Sequence, residues 1–273
     1  MSAESAPPQA HAYVYGTNLV KVPAWVLAST EFNARPQQLH VRGTRASVPG
    51  LFRMLDASAD AAAAGQTFAH YMELVFRRPP PHGTAAGRRH RATWRELLAG
   101  WGMDSNGAAG AVMKGWVESR FGLAPTFHRE PLGRFPSPAW LRYLEDKASS
   151  RYHNNDIDRQ LDLLFEYAQW FIGRFGMPGR TFVRLWRGVN RFAEQAVVRG
   201  SLRDRACVLR LNNLVSFSLS RERAEEFGDW ILEAEVPATK LVFFQGLVPG
   251  APLSGEGEAL VIGGDYEVKA AYV

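Results

Sequence analysis

"TFVRLWRGV", residues 181–189, marks the point at which this 273-residue chain changes character. From Thr181 onward the apolar runs are short, rich in Val, Leu and Phe, and bounded by Gly, Ser and charged clusters, the composition of strands. LVSFSLS (214–220), WILEAEV (230–236), KLVFF (240–244), EALVI (258–262) and YEVKAAYV (266–273) read the same way. One short helix, RERAEEF (221–227), interrupts them after Ser220, a residue suited to capping a helix N-terminus. Upstream the period is helical. From about Asp156 to Phe175, Ile157, Leu161, Leu164, Ala168, Phe171 and Phe175 form one apolar stripe, closed by Gly176 and Pro178. Ser137-Pro138 opens an earlier helix, with proline where its missing N–H costs nothing. Residues 47–76 are helical as well, with Ser58 as N-cap, Asp60 in the first turn, and Phe68, Met72 and Val75 at helical spacing. Residues 93–122 read as helix mixed with Gly-rich turn, and GAAGAVMKG (107–115), which lacks the spacing of a phosphate-binding loop, reads as a flexible turn.

Helices first and strands later, without βαβ alternation, predict an α+β fold. The expected organisation is a disordered tail (1–12), a helix-rich region (13–150) and a strand-rich core (151–273). There is no internal repeat.

Composition narrows the function classes. The chain is 46% hydrophobic and 22% charged, the balance of a globular protein, with a net charge of +5. That charge is uneven: six arginines and no acid lie between Arg77 and Arg95. The prolines and glycines of RRPPPHGTAAGRRHR (77–91) make this stretch a basic loop, and Arg77, Arg78, Arg88, Arg89 and Arg91 are candidates to meet an anionic partner surface. The single cysteine, Cys207, excludes an internal disulfide and fits a reducing compartment. The N-terminus has neither the basic nor the apolar region of a signal peptide, and no apolar run is long enough to span a membrane, so the expected location is cytoplasmic. The seven histidines are scattered without ligand spacing, which points away from a metal site, and no RNA-binding motif with interleaved aromatics is present.

Three pieces of the strand-rich half carry candidate chemistry. In LWRGV, Arg187 projects from a strand interior and is followed by Gly188; a planar guanidinium there suits an anion such as phosphate. In VSFSLSRERAEEF, Ser216 and Ser218 alternate onto one face at a strand–helix junction. In LSGEGEALVIGG (253–264), Glu256 and Glu258 sit one residue apart between glycines, at the start of an apolar strand. Two like charges so placed repel each other, an arrangement of use to a site that must stabilise a developing cation.

In this order, Arg-Gly, Ser-x-Ser and Glu-x-Glu resemble the R-S-E class of mono-ADP-ribosyltransferases, and Glu-x-Glu is similar to the members that modify arginine. GTNLVKVPAWVLASTEFN (16–33), LHVRGTR (39–45), LFRMLD (51–56) and YHNNDIDRQLDLLFEYAQWFI (152–172) extend the resemblance, over most of the chain, to the NAD-dependent dinitrogenase-reductase ADP-ribosyltransferases of nitrogen-fixing bacteria. The Ser-Thr-Ser of many relatives is Ser216-Phe217-Ser218 here.

The resemblance implies a split, mostly antiparallel two-sheet NAD-binding core on which the helical half packs. It implies NAD as co-substrate, no metal, and transfer of ADP-ribose to an arginine of the nitrogenase iron protein. Glu258 would stabilise positive charge on the ribose, Glu256 would orient the incoming guanidinium, Ser216 would hold Glu258 or the ribose, and Arg187 would bind a phosphate. Ser218 would give structural support, and Phe217 or Phe227 would border the nicotinamide. The family is also associated with a PII signal protein acting with ADP. Two alternatives remain open at this level: an arginine-specific transferase with another protein target, and a non-enzymatic basic binding module.

Overall fold

In the computed structural model of the chain, the structure describes residues 18–76, 92–148, 152, 155–176, 180–190, 192, 194–253 and 257–273. The tail at 1–12, the basic residues Arg77, Arg78, Arg88, Arg89 and Arg91, and Glu256 lie outside them.

The strands are β1 (Phe127–His128), β2 (Glu130–Pro131), β3 (Phe182–Val189), β4 (Ala196–Ser201), β5 (Ala206–Ser218), β6 (Trp230–Pro237), β7 (Leu241–Phe244) and β8 (Glu258–Tyr272). The first two make a minimal ladder; the other six form one antiparallel sheet in the order β4-β5-β3-β6-β8-β7. EALVI and YEVKAAYV, expected as two strands, are one. β8 continues through Gly263-Gly264 and runs beside β5 from Glu258↔Ser218 to Lys269↔Ala206. β4 and the first half of β5 were not anticipated, because the arginines at 199, 205 and 210 mask the alternation that strands show.

β5 pairs with β8, β8 with β6, and β6 with β3, and β3 returns to β5 at Trp186↔Ser218. The expected two layers are therefore two halves of a single hydrogen-bonded sheet. Leu185, Leu209, Phe217, Leu232, Val261 and Val268 make the apolar cluster that these strands share. The strand period of two sends alternate residues the other way: Leu214, Leu260 and Ile262 join the helical core.

That core is built by α1 (Ala24–Leu27), α2 (Thr30–Ala34), α3 (Thr44–Ser47), α4 (Pro49–Asp56), α5 (Ala61–Phe76), α6 (Trp94–Met103), α7 (Ala108–Phe121), α8 (Pro138–Lys147) and α9 (Asn155–Phe171); α10 (Arg221–Glu225) lies among the strands. The α9 stripe is buried as its period requires: Ile157, Leu161, Leu164, Ala168 and Phe171 are all in the core. Past Phe171 the helix loosens into a π turn, Ile172–Gly176. Tyr167 stacks on Phe68 of α5 with ring centroids 4.0 Å apart. Full burial of such a side chain contributes about 1.5–3 kcal/mol, which ties the helices to one another.

Two local expectations are corrected. The N-cap of α5 is Asp60, whose Oδ1 accepts from the Ala63 N–H at 2.8 Å, whereas the Ser58 hydroxyl donates back to the Met54 carbonyl. The segment GAAGAVMKG is not a turn but the first part of α7. Its glycines serve close packing: a Cβ at Gly110 would lie 2.0 Å from the Ser105 carbonyl oxygen.

The sheet and the helices are joined at a bulge in β5 between Leu211 and Leu214. Here the Asn212 side chain donates to the Phe127 carbonyl at 2.8 Å, and that of Asn213 donates to the carbonyls of Lys114 and Leu123, both at 2.8 Å. Opposite the bulge, β8 has room for hydrogen alone: a Cβ at Gly263 would sit 1.6 Å from the Asn212 oxygen. A bulge re-aims side chains that a regular strand would hold in its own ladder. The asparagines thus fix α7 against the strand that carries Ser216.

Candidate active site

β5 ends in Ser216-Phe217-Ser218 and β8 begins at Glu258, the partner of Ser218 in register. The pleat therefore places Ser216, Ser218 and Glu258 on one face. The Ser216 hydroxyl donates to Oε1 of Glu258 in a short hydrogen bond. The Gly257 carbonyl accepts from Leu219 N–H at 2.7 Å and the Glu258 carbonyl accepts from Gln245 N–H at 3.1 Å. Glu258 is thus held from both flanking strands before its side chain does anything.

Arg187 reaches the same place from β3. Its Nη1 donates to the Ser216 carbonyl at 2.8 Å and its Nη2 to Oε2 of Glu194 at 3.1 Å. Its Nε is buried with no hydrogen-bond partner. Burial pulls the guanidinium below its ordinary pKa, and the carboxylates of Glu194 and Glu258 oppose that shift. Two of its nitrogens are thus committed to the protein. Nε is closed to solvent, so an anion that binds this guanidinium competes with Glu194 at Nη2. Arg187, Ser216 and Glu258 are each half-buried.

The helical half supplies partners that the sequence did not announce. Trp101 of α6, 4% exposed, donates its indole Nε1–H to the Ser216 hydroxyl at 2.8 Å. Lys114 of α7, 1% exposed, donates to Oδ1 of Asn106 at 3.0 Å and to the Phe127 carbonyl at 3.1 Å. Its burial lowers its pKa to about 8, with Glu194 and Asp104 working against the shift. These groups line a cavity of about 30 Å³ beneath the site, with Trp101, Asn106, Lys114, Arg187, Glu194 and Ser216 in its wall. That is room for one water. Trp101 follows Trp94 at heptad spacing, so it reads as core. Glu194 lies in an irregular stretch with no pattern to single it out.

The remaining expected residues fall in four places. Ser218 is buried between Trp186 and Glu258 in register. Gly188 has a steric role: a Cβ there would lie 1.9 Å from the Ala224 carbonyl oxygen of α10, so glycine lets that helix seat against β3. Phe217 is not on the site's face. Strand alternation turns it into the strand cluster, 2% exposed, with its ring 6.4 Å from that of Tyr266, and it is therefore dropped as a neighbour of the nicotinamide. Phe227, 54% exposed beyond α10, is free of that objection.

A larger concavity, about 870 Å³, lies elsewhere, among Thr30, Asn33, Cys207, Glu233, Tyr266 and Glu267. Its glutamates are engaged in ion pairs, Glu267 with Arg199 and Glu233 with Lys269, and the reactive constellation is not there. Among the described residues no group of three or more His, Cys, Asp or Glu side chains could hold a metal ion, and no helix is long and apolar enough to cross a membrane.

The hydrogen bonds of Ser216 to Glu258 and of Arg187 to the Ser216 carbonyl bring an Arg, a Ser and a Glu from three strands together. The family model described as dinitrogenase reductase ADP-ribosyltransferase matches residues 17–270. The chain is 49% identical over 265 residues, 95% of its length and 96% of the relative's, to the NAD(+)--dinitrogen-reductase ADP-D-ribosyltransferase of Rhodospirillum rubrum. No solved structure matches. The extent of these two matches, over a chain that folds its Arg, Ser and Glu into one constellation, makes it a member of the dinitrogenase reductase ADP-ribosyltransferase family.

Proposed function

We propose that this chain transfers ADP-ribose from NAD to an arginine side chain of the nitrogenase iron protein, releasing nicotinamide and reversibly inactivating nitrogenase. The observation that carries the proposal is the Ser216–Glu258 hydrogen bond set beside Arg187, in a chain half identical to a relative named for that reaction. The residues suit NAD: a half-exposed carboxylate, a hydroxyl locked onto it, and the Arg187 guanidinium beside them.

The bond between nicotinamide and ribose breaks with its electron pair leaving on nicotinamide, so positive charge develops on the ribose. Glu258, fixed before the reaction, stabilises that charge without the reorganisation that water would need. Ser216 keeps the carboxylate aimed by donating to Oε1, and Arg187 keeps Ser216 in place through its carbonyl. Binding to an NAD phosphate is a second role for Arg187, by exchange of Glu194. Gly188 and Ser218 support the two strands, and Phe227 borders the nicotinamide.

Glu256 faces the incoming guanidinium in this proposal. An arginine cation is a poor nucleophile, and a second carboxylate orients it and takes the proton lost as the new C–N bond forms. The arginines at 77, 78, 88, 89 and 91 steer docking of the iron protein. A PII signal protein with ADP regulates the activity.

The test uses labelled NAD and purified iron protein with the wild type and Glu258→Gln. One labelled arginine on the iron protein with the wild type, and none with the variant, is expected. Label that persists with Glu258→Gln would overturn the assignment of that carboxylate, and no label with the wild type, with a PII protein and ADP supplied, would overturn the reaction.

A further inference from the structure

The structure assigns Trp101 a positioning role: its indole N–H anchors the Ser216 oxygen through one lone pair, and the hydroxyl hydrogen points to Glu258. This rests on the reaction proposed above. The argument is one of hydrogen-bond polarity. An indole nitrogen has a hydrogen to give and no lone pair to offer, whereas a serine hydroxyl has one hydrogen and can also accept. Trp101 Nε1 lies 2.8 Å from Ser216 Oγ, so Oγ is the acceptor of that bond. Oγ keeps its one hydrogen, and the short contact to Glu258 Oε1 is where that hydrogen is donated.

A hydroxyl without such a neighbour has other choices. It can rotate to the backbone or to water, and it can accept from a protonated carboxyl as readily as donate to a carboxylate. The Trp101 contact takes one of the two lone pairs of Oγ and so narrows those choices while the site is empty of substrate. It therefore keeps Glu258 aimed at the place where the cation develops.

The placement of Trp101 is as constrained as its chemistry. It is 4% exposed, on α6, whose N-terminus is fixed by a capping box between Thr93 and Glu96. The next residue, Gly102, packs so closely on Leu253 that a Cβ there would meet Leu253 Cδ2 at 2.4 Å. Ser216 is held on its other side by Arg187 through the backbone carbonyl. Ser216 thus has a strand neighbour fixing its main chain and a helix neighbour fixing its hydroxyl. The second of these makes the helical half a working part of the site.

The experiment measures NAD hydrolysis by the full-length protein with no protein acceptor, for wild type, Trp101→Phe, Trp101→His, Ser216→Ala and the Trp101→Phe/Ser216→Ala double variant, alongside thermal unfolding of each. Expected is a fall in kcat of about tenfold for Trp101→Phe, near 1.4 kcal/mol of transition-state stabilisation, with the KM for NAD within about twofold of wild type. Trp101→His, which keeps a ring N–H, should recover part of the loss. In the double variant the Trp101 change should add almost nothing to the loss from Ser216→Ala, because its effect passes through that hydroxyl. Equal losses for the Phe and His variants, additive losses in the double variant, or a change confined to KM would overturn the role. Loss of folding in Trp101→Phe and Trp101→His alike would overturn it too, since Trp101 would then be a core residue first. If the wild type itself cleaves no NAD, the reaction fails; if it does and Trp101→Phe matches it, the positioning role alone fails.

Discussion

Lys240 offers a quantitative test of how β8 is held. It is fully buried after β6, with Nζ 5.2 Å from the Phe32 ring centre and 4.9 Å from that of Tyr266, and it donates a long hydrogen bond, 3.4 Å, to the Gly263 carbonyl. Two aromatic faces attract a cation by about 0.5–2 kcal/mol. Burial costs more, and the net effect lowers the pKa from 10.5 to about 7, with Asp265 opposing it. The folded-state value of this base lies below the unfolded one. Between about pH 7 and 10.5 the unfolded chain therefore binds the proton that the native state has lost, and stability rises with pH across that window. Each pH unit well inside it contributes about 1.4 kcal/mol, so moving from pH 7 to pH 9 should add roughly 2 kcal/mol through this residue. Lys114, with its pKa near 8, adds a smaller rise over the same interval. Tyr266 is held well above its ordinary value by burial, which reverses the trend only above about pH 10. The assay is urea unfolding at pH 7 and pH 9 for wild type and Lys240→Met, a side chain of similar length without the charge. Wild type should gain stability, and the variant should lose about 2 kcal/mol of that gain while being no less stable at pH 7. An unchanged pH dependence in Lys240→Met would refute the reasoning and mean that the aromatic faces hold Lys240 charged.

Two further outcomes are expected. Gly188→Ala should cost at least about 3 kcal/mol, because its Cβ would meet a backbone oxygen of α10 at 1.9 Å, and overpacking against main chain has no side chain to yield; thermal unfolding checks it. Charge reversal at Arg88 and Arg89 should slow modification of the iron protein at low salt and leave NAD hydrolysis unchanged, measured as initial rates at two ionic strengths.

The sequence made some of this site legible and concealed the rest for identifiable reasons. Arg187, Ser216 and Glu258 could be singled out because each is polar where a strand offers an apolar neighbour on both sides, and the strand period says which of them share a face. The same period assigns Phe217 to the opposite face, and the structure puts it in the core. The helical partners gave no such contrast. Trp101 lies seven residues after Trp94, with Leu97 and Leu98 between, so its ring obeys the core pattern of α6 and only its N–H departs from it. An apolar ring bearing one polar atom is invisible to hydrophobic periodicity, which scores whole residues. Lys114 sits in a segment whose glycines suggested a turn. In fact Gly110 and Gly115 let neighbouring elements press against α7, and Lys114 is carried inward between them. The bulge at Asn212-Asn213 could not be foreseen either, since two adjacent asparagines in a strand read as its end. They are instead where β5 turns its amides toward the Lys114 and Phe127 carbonyls. Trp101, Lys114 and the Asn212-Asn213 bulge each join the strand-rich half to the helical half. Contacts of that kind depend on how two separately legible patterns meet, and the meeting is fixed by a few close approaches that no local period records.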